Sequence, residues 1–105
     1  MGTRCVIRVE GIDFAQVYKH FDGYPEGTLP WLEKFNQEFF ENRGADPEYK
    51  MAQLLRSSAW DYSTDEEGNR SELHTGWGVM PYGTECGQEY TYTLKKDGKV
   101  KARNY

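Results

Sequence analysis

The sequence predicts an α+β fold: a mainly antiparallel sheet of four or five strands with two helices packed on one face. Three observations lead there. Residues 3–10 and 14–21 alternate apolar and polar side chains around a short turn, as a half-buried hairpin does. Residues 28–44 and 46–60 carry apolar side chains at helical spacing. Residues 89–95 and 99–104 flank Lys96-Asp97-Gly98 and read as a second hairpin. The element order is β-β-α-α-(β)-β-β, two hairpins bracketing a helical pair.

The first hairpin sorts its side chains cleanly. With Glu10 opposite Phe14, Ile7 faces Val17 and Val9 faces Ala15. Cys5, Ile7, Val9, Ala15 and Val17 then share an apolar face, while Arg4, Val6, Arg8, Gln16, Tyr18 and His20 share the other. A slip of one residue would invert this sorting, so the pattern fixes the register. The next stretch, His20 to Gly27, is the most distinctive of the chain. Gly23 and Gly27 allow changes of direction, and Pro25 biases Tyr24 toward extended backbone. Thr28 is the expected N-cap of the first helix, with Pro30 in its first turn. Leu29, Leu32, Phe35 and Phe39 form its apolar stripe, and Gly44 suits its C-terminal cap. Asp46-Pro47-Glu48 opens the second helix with a cap, a first-position proline and an early acid. Met51, Leu54, Leu55 and Ala59 give that helix its apolar face.

Residues 61–76 read as a flexible polar surface loop. Trp77 to Tyr82 reads as a short strand, with Gly78 and Pro81 placing it at an edge or a bulge. In the last hairpin, a three-residue loop with Gly98 in the left-handed position pairs Leu94 with Val100 and Tyr92 with Ala102. It collects Tyr90, Tyr92, Leu94, Val100 and Ala102 on one face. Both hairpins direct apolar faces toward the helices, which leaves the opposite sheet face open and polar.

The chain of 105 residues suits a single domain spanning 1–105, without internal repeats or a linker. Three Trp, eight Tyr and five Phe supply core volume in a chain that is 37% hydrophobic. A charged fraction of 29% with mixed signs fits a folded domain. The net charge of −4 argues against a general nucleic-acid binder, which carries a basic excess. No signal peptide opens the chain and no apolar run reaches membrane-spanning length, so the expected compartment is the cytoplasm, with no membrane partner. In that compartment Cys5 and Cys86 are expected as reduced thiols rather than a disulfide.

Gly2-Thr3-Arg4, Tyr18-Lys19-His20 and Phe21-Asp22-Gly23-Tyr24-Pro25 with Gly27 carry a resemblance. Together they resemble a family of short phage, prophage and microbial open reading frames with an aromatic-Asp-Gly-Tyr-Pro turn after the first hairpin. The resemblance covers about the first third of the chain. That family has no established activity, so the resemblance implies only that the Gly-Thr-Arg strand and the Asp22 turn belong together.

The candidate ligand-binding residues are Arg4, Arg8, Tyr18, His20, Asp22 and Tyr24. The hairpin register places Arg4 opposite His20 and near Asp22. One reading is an anion pocket; the plainer one is an Arg4–Asp22 ion pair stapling the turn to the strand. His20 and His74 lack a second His or Cys at metal-ligand spacing. Asp61, Ser63, Asp65, Glu67, Asn69 and Glu72 fall on a calcium-loop template, but Glu66 stands where that template needs glycine. Trp60, Trp77 and Tyr82 serve as an interaction patch if exposed and as core if buried, and burial is the plainer reading. No catalytic residue, metal or cofactor is assigned.

Three function classes fit these residues. The first is a binding module that recognises a protein or a small anionic ligand through the 20–27 turn and the adjacent open face. The second is an enzyme acting on a phosphate ester with Arg4, His20 and Asp22; it lacks a recognised nucleophile or phosphate loop. The third is nucleic-acid binding through the basic face of the last hairpin, which the net charge disfavours. The sequence leaves the oligomeric state open.

Overall fold

The computed structural model describes residues 3–20, 23–61 and 76–104. Its elements are β1 (Cys5–Val9), β2 (Ala15–Lys19), α1 (Pro25–Arg43), α2 (Pro47–Asp61), β3 (Trp77–Pro81), β4 (Tyr90–Leu94) and β5 (Val100–Asn104). The fold is α+β, with five strands in one sheet in the order β3-β2-β1-β4-β5. The first hairpin has the expected register, with Ile7 opposite Val17. So does the last, with Leu94 opposite Val100 and Tyr92 opposite Ala102. Its turn closes with Lys95 N donating to Lys99 O at 2.8 Å, and Gly98 takes a φ of 93°. The expected edge strand is present as β3, paired with β2 through Val17 and Val79.

The two hairpins meet at the centre of the sheet, where β1 and β4 run parallel and pair Ile7 with Tyr92. The sheet is therefore mixed, antiparallel elsewhere. One face carries Cys5, Ile7, Val9, Val17, Tyr92 and Leu94, all buried against Leu32 of α1 and Met51 and Leu54 of α2. Phe35 and Leu55 pack on this cluster half-buried. Phe39 is buried and stacks on Phe35. Trp77 packs edge-on against Trp31, with ring centroids 5.7 Å apart. Cys5 is buried, Cys86 is half-buried, and no disulfide joins them.

The hairpin end at Lys95 gathers both helices. Its carbonyl accepts from Asn36 Nδ2 of α1 at 3.0 Å and from Lys50 Nζ of α2 at 3.2 Å. Asn36 Nδ2 also reaches Lys99 O at 2.8 Å. These bonds seat the helical layer on the β4–β5 end of the sheet. Lys50 is almost wholly buried, and burial pushes its ammonium below the ordinary value of 10.5.

Three expectations are corrected. The first helix begins at Pro25, not after Thr28. Tyr24 is its N-cap in extended backbone, and Gly27 N and Thr28 N both bond Tyr24 O. Pro25 takes the favourable first helical position, so Pro30 lies inside the helix and Thr28 is buried. The outer sheet face is not open: Val6 and Gln16 on it are fully buried. The segment Tyr82–Glu89, which must carry the chain from the edge strand β3 past β2 and β1 to β4, lies on this face and covers Gln16 through Gly83 and Thr84. Tyr82 is also not core; it is 46% exposed. The flexible-loop reading of 61–76, the calcium template and His74 fall on residues outside those described, apart from the end of α2 and Gly76. The side chain of Trp60 is likewise outside them.

Gly23 explains its own place in the turn. An added Cβ would lie 2.7 Å from Cys5 Cβ and 2.8 Å from Thr3 O. Gly23 N donates to Thr3 O at 2.8 Å, and Tyr92 Oη donates to Gly23 O at 2.6 Å. The turn is therefore clamped between β1 and β4. Gly23→Ala is expected to cost about 2–3 kcal/mol by overpacking, measured by urea denaturation. A wild-type midpoint would show that the clamp is not tight. Lys50→Met tests the other end of the sheet. Among the described residues Lys50 bonds one carbonyl and lies 5.4 Å from the centre of the Phe39 ring, but no carboxylate pairs with it, so its buried charge is only partly compensated. The substitution is expected to raise stability at pH 7 by about 1–2 kcal/mol. Because the folded pKa is lowered, wild-type stability rises as pH climbs through it toward 10.5, so the difference should shrink near pH 10. A destabilised Lys50→Met variant would show that the bond to Lys95 outweighs the burial of charge.

Candidate functional site

The outer sheet face carries Arg4, Arg8, Tyr18 and His20, as the hairpin alternation requires. They do not form one pocket. Arg4 and Arg8 are four residues apart on one strand, about 13 Å at 3.3 Å per residue. The Tyr82–Glu89 crossover lies on this face, and the two ends of it have different surroundings.

At the β1 start, the Tyr18 hydroxyl and His20 Nδ1 share a hydrogen bond of 2.5 Å, and their rings tilt against each other. Burial pushes the Tyr18 phenol up, with the Arg4 charge opposing it. Arg4 is exposed and its guanidinium lies against Gly87, where an added methyl would stand 2.9 Å from Nη1. Asp22 and Phe21 lie outside the described residues, so the expected Arg4–Asp22 contact does too. Tyr24 stands exposed at the N-cap of α1 and does not line the groove that holds Arg8.

At the other end the crossover is pinned. Gln16, with no exposed surface, donates from Nε2 to Thr84 O at 2.9 Å and accepts from Gly83 N at 3.0 Å. Its Oε1 also accepts from Arg8 Nε at 3.1 Å. The Arg8 guanidinium lies 4.4 Å from the centre of the Tyr82 ring. Two independent contacts thus fix the half-buried arginine. Its Nη groups have no ion pair or hydrogen bond among the described residues.

Arg8 lines a groove of about 300 Å³ with Glu10, Gly11, Asp13, Tyr82 and Thr93. The size is at the lower end of small-molecule sites. Ile12 is buried in the core and holds the β1–β2 turn down, so Asp13 stands exposed from an anchored point. Glu10 is already occupied. Its Oε1 accepts from Lys96 N at 2.7 Å and its Oε2 pairs with Lys95 Nζ at 3.2 Å. The Lys96 amide and then Lys95 hold the carboxyl below its ordinary range. Its charge is therefore compensated within the protein.

Of the candidate ligand-binding residues expected from sequence that lie among those described, only Arg8 opens on this groove. Asp13 and Thr93 were not foreseen as partners, nor Gln16 as the anchor. Of the two readings of Tyr82, interaction patch or core, the exposed one holds, and its position just beyond the edge strand is the signal for it. Thr93 reaches Arg8 only through the parallel β1–β4 pairing, which no local pattern announces.

Comparison of the chain with protein-family models, with curated proteins and with solved structures finds no match to any of them. The family resemblance of the first third of the chain thus rests on its short motifs alone. Among the described residues, no helix is long and apolar enough to cross a membrane.

Proposed function

We propose that this protein is a small binding module that takes a small anionic ligand on the outer face of its sheet, at Arg8. One observation carries the reading. Arg8 is half-buried and fixed by Gln16 and Tyr82, yet its Nη donors meet no carboxylate among the described residues. A half-buried guanidinium without a counter-charge is costly, and a planar anion compensates it in bidentate fashion. Thr93 lines the same groove, and a threonine hydroxyl is able to add a hydrogen bond. Pre-positioning of Arg8 lowers the ordering cost of binding.

The test is titration of the labelled protein with inorganic phosphate and with acetate, followed by amide and arginine side-chain NMR shifts. Shifts are expected to centre on residues 8–13, 82 and 93, and Arg8→Met should weaken binding at least tenfold. Arg4→Met should leave it within twofold. Binding that survives Arg8→Met, or shifts that centre on the Tyr18–His20 end, would overturn the assignment.

A further inference from the structure

Two groups of opposite charge line the Arg8 groove without meeting. Arg8 and Asp13 both face the cavity, and no ion pair joins them. The third charged side chain there, Glu10, is neutralised by Lys95 and the Lys96 amide. Among the described residues the groove therefore presents one cation and one carboxylate that no ion pair neutralises, both lining a space of about 300 Å³. Neither is able to collapse onto the other easily. Arg8 is held back by Gln16 and by the Tyr82 ring, and the backbone that carries Asp13 is anchored by Ile12 in the core.

An anion alone would satisfy Arg8 but sit close to the Asp13 carboxylate, and a cation alone would meet the opposite difficulty. A ligand carrying both charges satisfies both. From this geometry we infer that the ligand is a small zwitterion, a free α-amino acid or an equivalent amino carboxylate. Its carboxylate lies on the Arg8 Nη fork and its ammonium faces Asp13. Thr93 contributes a hydroxyl, and the exposed Tyr82 forms the wall. This rests on the reading of Arg8 as an anion site and narrows its ligand class.

The experiment compares free α-amino acids with their N-acetyl derivatives, and both with acetate, by NMR titration. Wild type, Arg8→Met and Asp13→Asn are used. Asp13 is exposed, so its substitution leaves the core intact. Members of the free amino-acid panel are expected to bind, and N-acetylation should weaken them at least tenfold. Asp13→Asn should weaken the free amino acids by a similar factor while tightening acetate. Arg8→Met should weaken both classes. Equal binding of N-acetylated and free forms, or no effect of Asp13→Asn, would overturn the zwitterion while leaving the anion site standing. Failure of every free amino acid to bind while acetate binds would do the same. Failure of acetate as well would remove both.

Discussion

Gln16 makes the three hydrogen bonds on which the outer half of this structure depends. It holds Gly83 and Thr84 of the crossover and Arg8 of β1 from a fully buried position. The need for such an anchor follows from topology. The sheet order puts β3 at an edge and β4 inside, beside β1, so the chain between them must cross two strands. A connection laid over a sheet face buries peptide groups that require partners. Gln16 supplies both a donor and an acceptor from one side chain, so two backbone groups of opposite polarity are satisfied together. The crossover in turn gives the sheet a second, smaller covered layer opposite the helices, with Gln16 wholly buried beneath it.

The same contacts shape the site. A surface arginine ordinarily samples many rotamers at high entropy. Here Nε is fixed by Gln16 and the guanidinium by the Tyr82 ring, leaving the Nη edge for the groove. On the opposite face the layers are tied differently. Asn36, Lys50 and Gly98 all donate to the Lys95 carbonyl, and Lys95 itself pairs with Glu10. One hairpin end thus couples α1, α2 and β1. It also removes Glu10 from the chemistry of the groove, which sharpens the contrast between Arg8 and Asp13.

Local pattern made much of this legible. Alternation set the register of the first hairpin, because one of its faces is buried and a slip would expose it. In the last, Gly98 in the left-handed turn position was needed as well, since β5 keeps only Val100 half-buried and leaves Ala102 exposed. Pro47 after Asp46 marked the start of α2, and Gly44 the end of α1. The start of α1 was less legible, because Thr28-Leu29-Pro30 and Tyr24-Pro25 both satisfy the rules for an N-terminus. The earlier one prevails where Gly23 is clamped against Thr3 and Tyr92. The parallel junction of β1 and β4 had no sequence signal, since it joins segments some 85 residues apart through Cys5 and Tyr90. From that one non-local fact follow the covered outer face, the burial of Gln16 and the meeting of Arg8 with Thr93. The candidate site was therefore half legible: Arg8 lay on the expected face, but its companions depended on a pairing that alternation cannot reveal.

The measurement that bears most directly on this account is amide hydrogen exchange at Gly83, in wild type and in Gln16→Leu. If Gln16 pins the crossover, the Gly83 amide is strongly protected in wild type. In the variant it should approach the rate of an unstructured peptide while the β1–β4 ladder amides stay protected. A Gly83 amide that exchanges freely in wild type, or stays protected after Gln16→Leu, would contradict the account.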